Sequence, residues 1–313
     1  MKKIKIMNKM RKKNNVKIPL TVPIRSQEDY IQNYMQATLE SGKLFLFAGD
    51  QKIEHLNKDF YGKGISSDDA DPKHLFEIAS KARIGSFATH LGLIARYADD
   101  YRDVNYVVKL NSRTNLVSPK YVDPVSLPLH SVEDVVQFQK NSGLSIVGVG
   151  YTIYLGSQFE SEMLTQAAQV VLQAHQNGLL AILWIYPRGK SVQAEADADI
   201  IAGAAGVGVC LGADFVKVNP PNAKTGLQRA KLLKQATDAA GNTGVVCAGG
   251  KSKDAKNFLK ELYEQIHIGG TRGCAIGRNI HQKNLSDAVT FCKSVAAIVV
   301  DGLSFEKASK MLK

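Results

Sequence analysis

The 313-residue sequence has few cysteines and no long apolar segment. Its four cysteines include no Cys-x-x-Cys pair, so we expect reduced thiols rather than disulfides or a zinc knuckle. No apolar run approaches the roughly 20 residues that a membrane-spanning helix needs, and the N-terminus lacks the apolar segment typical of a secretory signal. These absences predict a cytoplasmic protein with no membrane partner.

Acidic residues are missing from the first 17 positions, which hold eight lysines and arginines. Without this segment, 32 basic and 29 acidic residues remain, so the formal net charge falls from +11 to +3. The rest of the chain therefore has too small a charge excess to indicate a nucleic-acid binder. We interpret residues 1–20 as a basic disordered arm, and the alternative is an electrostatic contact of this arm with RNA or another anionic surface.

Short β-rich runs recur along the rest of the chain, with helical patterns or turn-rich loops between them. Most are continuously apolar, as in strands that are buried on both faces. The eight runs are 44–50, 84–90, 105–111, 146–151, 179–187, 213–219, 243–249 and 273–280. Eight strand–helix units in one chain of this size predict a (β/α)8 TIM barrel over residues 44–313. A helical pattern within residues 21–43 comes before the first strand, so we expect a single domain with an N-terminal helical extension.

A lysine interrupts the sixth predicted strand. Lys217 is flanked by two valines in an otherwise apolar run. Lysine is seldom fully buried, and an apolar interior lowers its pKa from the ordinary value of about 10.4. A neutral amine attacks carbonyl groups to form a Schiff base, whose nitrogen accepts electrons when a C–C bond breaks or forms. The alternative is that Lys217 extends out of the barrel to a carboxylate.

Polar and aromatic side chains end two other predicted strands. Trp184, Tyr186 and Arg188 alternate along the fifth strand, so they share one face. Asp50 ends the first strand, where a carboxylate would stabilise an iminium or hold a substrate hydroxyl. Because the carboxyl ends of the strands form the active site of a TIM barrel, we expect these side chains to converge. The alternative is an interfacial Trp/Tyr pair with a surface arginine.

Glycines follow the last two predicted strands. Gly249 and Gly250 end the seventh strand, and Gly277 stands before Arg278 at the end of the eighth. Loops at this position hold phosphate in many barrels, because glycine lets backbone N–H groups approach the anion and a helix N-terminus adds its dipole. These residues predict a phosphate site, with simple tight turns as the alternative.

Three of the seven histidines, His55, His90 and His281, lie near strand ends and are the candidate ligands of a zinc-dependent aldolase. No HxH or HExxH spacing is present, and a buried lysine would have no role in such an enzyme. We therefore expect neither a metal nor a cofactor, and we predict that His55 contacts substrate. We expect the remaining histidines at the surface or at helix caps, namely His74, His130, His175 and His267.

Five motifs occur in order on five predicted strands: GDQKIEH, WIYPRG, GADFVKVNPP, CAGGKSKD and GRNIHQ. Together they resemble the archaeal-type class I fructose-bisphosphate aldolases (the DhnA/FbaB family), which are related to deoxyribose-phosphate aldolase. The resemblance implies a Schiff-base lysine at Lys217, an acid/base tyrosine at Tyr186 and an aspartate at Asp50 that assists the carbinolamine and iminium. It also implies substrate contacts from Trp184 and Arg188, and a phosphate held by Gly249, Gly250, Gly277 and Arg278.

The resemblance implies reversible cleavage of fructose 1,6-bisphosphate to dihydroxyacetone phosphate and glyceraldehyde 3-phosphate, in a homo-oligomer. Two alternatives use the same lysine chemistry: a heptulosonate-type synthase and a thiolase that acts on a phosphorylated dione. A third alternative, a non-covalent phosphosugar isomerase or binding barrel, would need Lys217 only as a charge.

Overall fold

The computed structural model describes residues 16–55, 57–116 and 122–312. Eight parallel strands in these ranges close into a barrel, in which each strand pairs with its neighbour in the chain and the last pairs with the first. The strands are β1 (Leu44–Ala48), β2 (Ser86–His90), β3 (Tyr106–Lys109), β4 (Ile146–Leu155), β5 (Leu180–Pro187), β6 (Phe215–Val218), β7 (Gly244–Ala248) and β8 (Gly273–Ile276). The predicted (β/α)8 barrel is confirmed.

Twelve α-helices lie in the described ranges, most of them around the barrel. They are α1 (Gln27–Ala37), α2 (Gln51–Glu54), α3 (Lys73–Lys81), α4 (Leu91–Tyr97), α5 (Val132–Ser142), α6 (Glu160–Gln176), α7 (Ala198–Cys210), α8 (Gly226–Ala240), α9 (Ala255–His267), α10 (Arg278–His281), α11 (Leu285–Val299) and α12 (Phe305–Ser309). Short 3₁₀ helices are Ile24–Ser26, Asn57–Asp59, Ser67–Ala70, Ala98–Asp100 and Lys310–Leu312. Asn111–Ser112 and Leu127–Pro128 form a separate antiparallel pair.

Side chains alternate between two apolar clusters along each barrel strand. In β1, Phe45 and Phe47 pack outward beneath the helices, whereas Leu44, Leu46 and Ala48 fill the barrel interior. All five side chains are fully buried. Burial on both faces explains why the barrel strands are apolar runs without a polar alternation.

Helix α1 packs against the barrel at the amino ends of the strands. Its Tyr30 is buried in the interior cluster and donates a hydrogen bond to Oδ1 of Asp214, the residue before β6. The other carboxylate oxygen accepts a hydrogen bond from the Ala181 backbone N–H at 2.8 Å and lies 3.2 Å from His175 Nε2. This buried network joins the N-terminal helix to the strand that carries Lys217.

Two histidines are not where the sequence indicated. His175 and His74 are 0% and 2% exposed, so the prediction that they lie at the surface is wrong, and neither is the cap residue of its own helix. Each has polar partners that make burial tolerable: His175 contacts Asp214, and Nε2 of His74 lies 2.9 Å from the Lys283 carbonyl oxygen. A sequence pattern around a single histidine does not reveal such distant partners.

Two strand ends differ from the prediction by four residues, and the other ends agree with it within two. β4 continues to Leu155, four residues beyond the predicted end, and β8 stops at Ile276, where α10 begins two residues later. Both differences alter which side chains reach the carboxyl ends of the strands.

Residues 1–15 lie outside the described residues, so the basic arm and the division of the chain at residue 20 stay predictions.

Two sequence expectations concern the chain as a whole. All four cysteines are free, and Cys247, Cys274 and Cys292 are buried, as expected for reduced thiols. In the part of the chain that the structure describes, every helix is too short or too polar to span a bilayer.

Candidate active site

A cavity of about 160 Å³ opens at the carboxyl ends of the barrel strands. All ten site residues that the sequence indicated line it: Asp50, His55, Trp184, Tyr186, Arg188, Lys217, Gly249, Gly250, Gly277 and Arg278. The remaining lining residues are Gln51, Glu54, Tyr154, Asn219, Ala248 and Ala275. The fold therefore brings together side chains that lie up to 228 positions apart in the sequence.

Lys217 is held inside the barrel and does not extend to solvent. It is 5% exposed, it is the register partner of Trp184, and its Nζ lies 5.1 Å from the centre of the indole ring. Burial is the largest influence on the pKa of Lys217 and lowers it. Asp50 and Glu54 oppose this shift without reversing it, so the amine is more readily neutral than that of an exposed lysine.

Asp50 follows β1 and occupies the N-cap position of the short helix α2, where it is 5% exposed. Burial, the largest single influence, disfavours its charged form, but nearby cationic groups and a backbone hydrogen bond together outweigh burial and lower the pKa of Asp50. The site therefore holds a carboxylate next to an amine in a region with little water. A carboxylate in this position stabilises a cation that forms on the lysine nitrogen.

Two tyrosines reach the same cavity from neighbouring strands. Burial raises the pKa of Tyr186 on β5 well above its ordinary value, and it also raises the pKa of Tyr154 on β4. Both phenols are therefore protonated at neutral pH. The Arg188 guanidinium lies 5.7 Å from the centre of the Tyr186 ring and pairs with Glu195 at 3.2 Å.

The glycine loops follow β7 and β8 and line the same cavity. Gly250 has a φ of +68°, which favours glycine, and a Cβ on Gly277 would lie 2.9 Å from the Ala48 carbonyl oxygen. Asn279 connects the two loops, because its Nδ2 donates to the Gly249 carbonyl oxygen at 3.0 Å. Asn279 thus joins the β7 loop to the β8 loop, next to the Arg278 side chain.

The three histidines of the zinc alternative have separate environments. His55 is bound through Nδ1 to Asp59, at 2.5 Å, while Nδ1 of the fully buried His281 lies 2.7 Å from Asp69. Burial lowers the pKa of His90 to about 4. Across the ranges that the structure describes, no three His, Cys, Asp or Glu side chains converge as metal ligands do.

The sequence interpretation gave no catalytic or binding role to Tyr154 and Lys109, two ionisable residues of this region. Tyr154 went unnoticed because the predicted strand ended at Tyr151, before the residues that reach the cavity. Lys109 is fully buried at the end of β3, 5.4 Å from the Trp184 ring centre. The signal for Lys109 was available, since a lysine within the run NYVVKLN has the same pattern that singled out Lys217.

A closed (β/α)8 barrel with a buried lysine, a carboxylate and a tyrosine at the carboxyl ends of its strands is the architecture of a Schiff-base aldolase. The model of the DeoC/LacD family aldolases matches residues 44–283, and the chain belongs to this family. It is an enzyme of the lyase class.

Several proteins resemble the chain over nearly its whole length. A Methanocaldococcus jannaschii protein named fructose-bisphosphate aldolase/6-deoxy-5-ketofructose 1-phosphate synthase is 56% identical over 305 residues, which cover 97% of both chains. The solved structure of a fructose-bisphosphate aldolase from Slackia heliotrinireducens is 52% identical, with a TM-score of 0.93, and the match covers 96% of this chain and 94% of the other. An archaeal fructose-1,6-bisphosphate aldolase with its catalytic lysine bound to the carbinolamine is 32% identical, with a TM-score of 0.72 and coverage of 86% and 98%.

Proposed function

We propose that the protein is a class I fructose-1,6-bisphosphate aldolase that uses Lys217 as its Schiff-base residue. The observation that carries the proposal is the buried amine of Lys217 in a cavity with Asp50, Tyr186 and the glycine loops. The names of the relatives support the same substrate. The alternative in which Lys217 serves only as a charge fits less well, because burial lowers its pKa and favours the uncharged form.

The first half of the reaction forms the iminium. The Lys217 nitrogen lone pair adds to the C2 ketone, and the resulting carbinolamine loses its hydroxyl group as water after protonation. Tyr186 is the donor of this proton, because its raised pKa keeps the phenol protonated until then. The Asp50 carboxylate stabilises the positive charge that remains on the nitrogen.

The second half breaks the C3–C4 bond. The Tyr186 phenolate takes the proton of the C4 hydroxyl, the bond electrons move into the iminium, and glyceraldehyde 3-phosphate leaves. Tyr186 then gives this proton to C3 of the enamine, and water hydrolyses the iminium to release dihydroxyacetone phosphate, the free amine and a proton that restores the phenol. The nitrogen thus accepts the electrons that a metal ion would accept in another mechanism.

The other cavity residues bind the substrate in this proposal. Gly249, Gly250 and Gly277 offer backbone to one phosphate, and Arg278 supplies a positive charge. The remaining contacts to the sugar come from Trp184, Arg188 and His55. The partner of the enzyme is accordingly a phosphorylated sugar, and a homo-oligomer in the cytoplasm stays part of the prediction.

A second reaction on the same residues is the synthesis of 6-deoxy-5-ketofructose 1-phosphate. The observation that favours it is the second half of the name of the M. jannaschii relative, at 56% identity. In both reactions an enamine on Lys217 would add to an aldehyde acceptor. The two reactions therefore differ only in the part of the cavity that receives this acceptor. Product analysis with a panel of phosphorylated ketoses and aldehydes separates them, and it also separates a heptulosonate-type synthase or a thiolase.

Borohydride reduction tests the proposal directly. With dihydroxyacetone phosphate, the wild-type enzyme should give one stable adduct per chain, on the peptide that contains Lys217. Lys217→Met should lose both the adduct and turnover, whereas Lys256→Met, on the exposed side of α9, should keep both. Lys217→Arg keeps the cation but cannot form the imine, so an active Arg variant would instead support a non-covalent phosphosugar barrel.

A further inference from the structure

Two lysines, not one, are buried beside the same tryptophan. Nζ of Lys217 lies 5.1 Å from the centre of the Trp184 ring, and Nζ of Lys109 lies 5.4 Å from it. Gly150 on β4 makes room for this arrangement, because a Cβ there would meet the Trp184 ring and would lie 3.2 Å from Lys109 Cδ. The charge of Lys109 disfavours the charged form of Lys217, so the pair favours a state in which only one of the two amines is protonated.

Hydrogen bonding distinguishes the two amines. Lys109 Nζ donates to the Asn111 carbonyl oxygen at 2.8 Å and to Asn111 Oδ1 at 3.2 Å. In the part of the chain that the structure describes, Lys217 Nζ makes no hydrogen bond. Acceptors that are fixed in the protein favour the charged form of an amine, so protonation of Lys109 is favoured over protonation of Lys217.

The orientation of the Asn111 amide is determined by its other partners. Its Nδ2 donates to the carbonyl oxygens of Thr152 and Ser126 at 2.8 and 2.9 Å, and its Oδ1 accepts from the Thr152 N–H at 2.7 Å. The atom that faces Lys109 is therefore an oxygen, and Lys109 must act as the donor. Asn111 is itself fully buried, so this acceptor is not replaced by water.

The remaining charged groups near the two lysines do not reverse the preference for a charged Lys109 and a neutral Lys217. Asp50 and Glu54 favour the charged form of both lysines. Arg278, from α10, disfavours the charged form of Lys217 and is itself 3.4 Å from Asp59. His90, at the end of β2, has a pKa lowered to about 4 by burial and is neutral at pH 7.

We propose that Lys109 is a positioning residue of the Schiff-base reaction: it carries the positive charge of the buried pair and so leaves the Lys217 amine uncharged and ready to attack. Lys109 does not line the cavity and therefore acts through Lys217. Burial lowers the pKa of both amines, and the cation at Lys109 adds to the lowering at Lys217. This inference rests on the proposed role of Lys217.

The test is the pH dependence of adduct formation with dihydroxyacetone phosphate and borohydride. Lys109→Gln removes the charge while keeping an amide donor for Asn111, and Lys109→Met removes both. In each variant the pKa of Lys217 should rise, so the neutral fraction of its amine, and with it the trapping rate at pH 7, should fall by about tenfold. The rate should return towards the wild-type value as the pH is raised.

Two further variants make the test specific. Lys109→Arg keeps the cation and should retain a pH profile close to the wild-type profile. Lys52→Met removes a cation whose Nζ donates to the Ala70 carbonyl oxygen, outside the pair, and should leave the profile unchanged. A purely structural role of Lys109 would lower the rate equally at every pH, and that result would overturn the inference.

The outcomes also separate the inference from the proposed function. If the wild-type enzyme forms an adduct on Lys217 but the Lys109→Gln profile is not displaced, only the role of Lys109 is wrong. If no adduct forms at any pH, the Schiff-base function itself fails. If the adduct maps to Lys109, both assignments are wrong, since the two amines would have exchanged roles.

Discussion

Tyr154 and Tyr186 are register partners on neighbouring strands, and their ring centroids lie 6.4 Å apart at the mouth of the barrel. Both phenols line the cavity, and burial raises the pKa of both. They differ in position, because Tyr186 is on β5, which pairs directly with the strand of Lys217, whereas Tyr154 is one strand further away. This difference favours Tyr186 over Tyr154 for the proposed proton transfer.

Replacing Tyr186 by phenylalanine should therefore reduce turnover by roughly 10²–10⁴-fold, the usual contribution of general acid–base catalysis, without unfolding the barrel. Tyr154→Phe is the matched control and should lose much less. Steady-state kinetics and circular dichroism of both variants check the prediction. If Tyr154→Phe shows the larger loss, the acid/base role belongs to Tyr154.

Replacing Gly277 by alanine should weaken phosphate binding. The added Cβ would meet the Gln51 side chain and lie 2.9 Å from the Ala48 carbonyl oxygen, so the loop must shift. We expect KM for the phosphorylated substrate to rise about tenfold or more, which corresponds to about 1.4 kcal/mol of lost binding. Gly203→Ala on α7, where nothing lies within 4 Å of an added Cβ, should leave KM unchanged. Equal KM values for both variants would argue against a phosphate at this loop.

Removing the Tyr30 hydroxyl should destabilise the barrel without changing its chemistry. In Tyr30→Phe, the buried Asp214 loses one of its hydrogen-bond donors, which costs about 1–3 kcal/mol. Urea unfolding should show this loss, while kcat of the folded enzyme stays close to the wild-type value. Tyr61→Phe serves as the control, because Tyr61 is 66% exposed. An unchanged free energy of unfolding in Tyr30→Phe would mean that α1 contributes little through this contact.

Activity should survive prolonged treatment with EDTA, because every proposed step uses the lysine nitrogen, a tyrosine or a carboxylate. The measurement is turnover before and after chelation, with and without added zinc. Loss of activity on chelation with recovery on zinc would contradict the mechanism and would return attention to His55, His90 and His281.

The barrel and its lysine were predictable from the sequence for a physical reason. Parallel strands that are buried on both faces must be apolar, so each strand appears as a short apolar run, and any lysine within such a run is conspicuous. The carboxyl ends of the strands in a TIM barrel share one face, so the order of the motifs is enough to assign Asp50, Tyr186 and Lys217 to the same place.

Only the tertiary structure decided which distant groups meet. The pairing of His175 with Asp214 spans 39 positions, and Asn111 meets Thr152 across 41, so no local pattern reveals either contact. The same holds for the electrostatics of the site. Lys109 and Lys217 look alike in the sequence, each a lysine among apolar residues. Their surroundings differ, because of the two amines only that of Lys109 donates hydrogen bonds to two oxygen atoms, both of Asn111. Charge and reactivity depend on such three-dimensional neighbours, whereas the periodicity of the strands depends on burial alone.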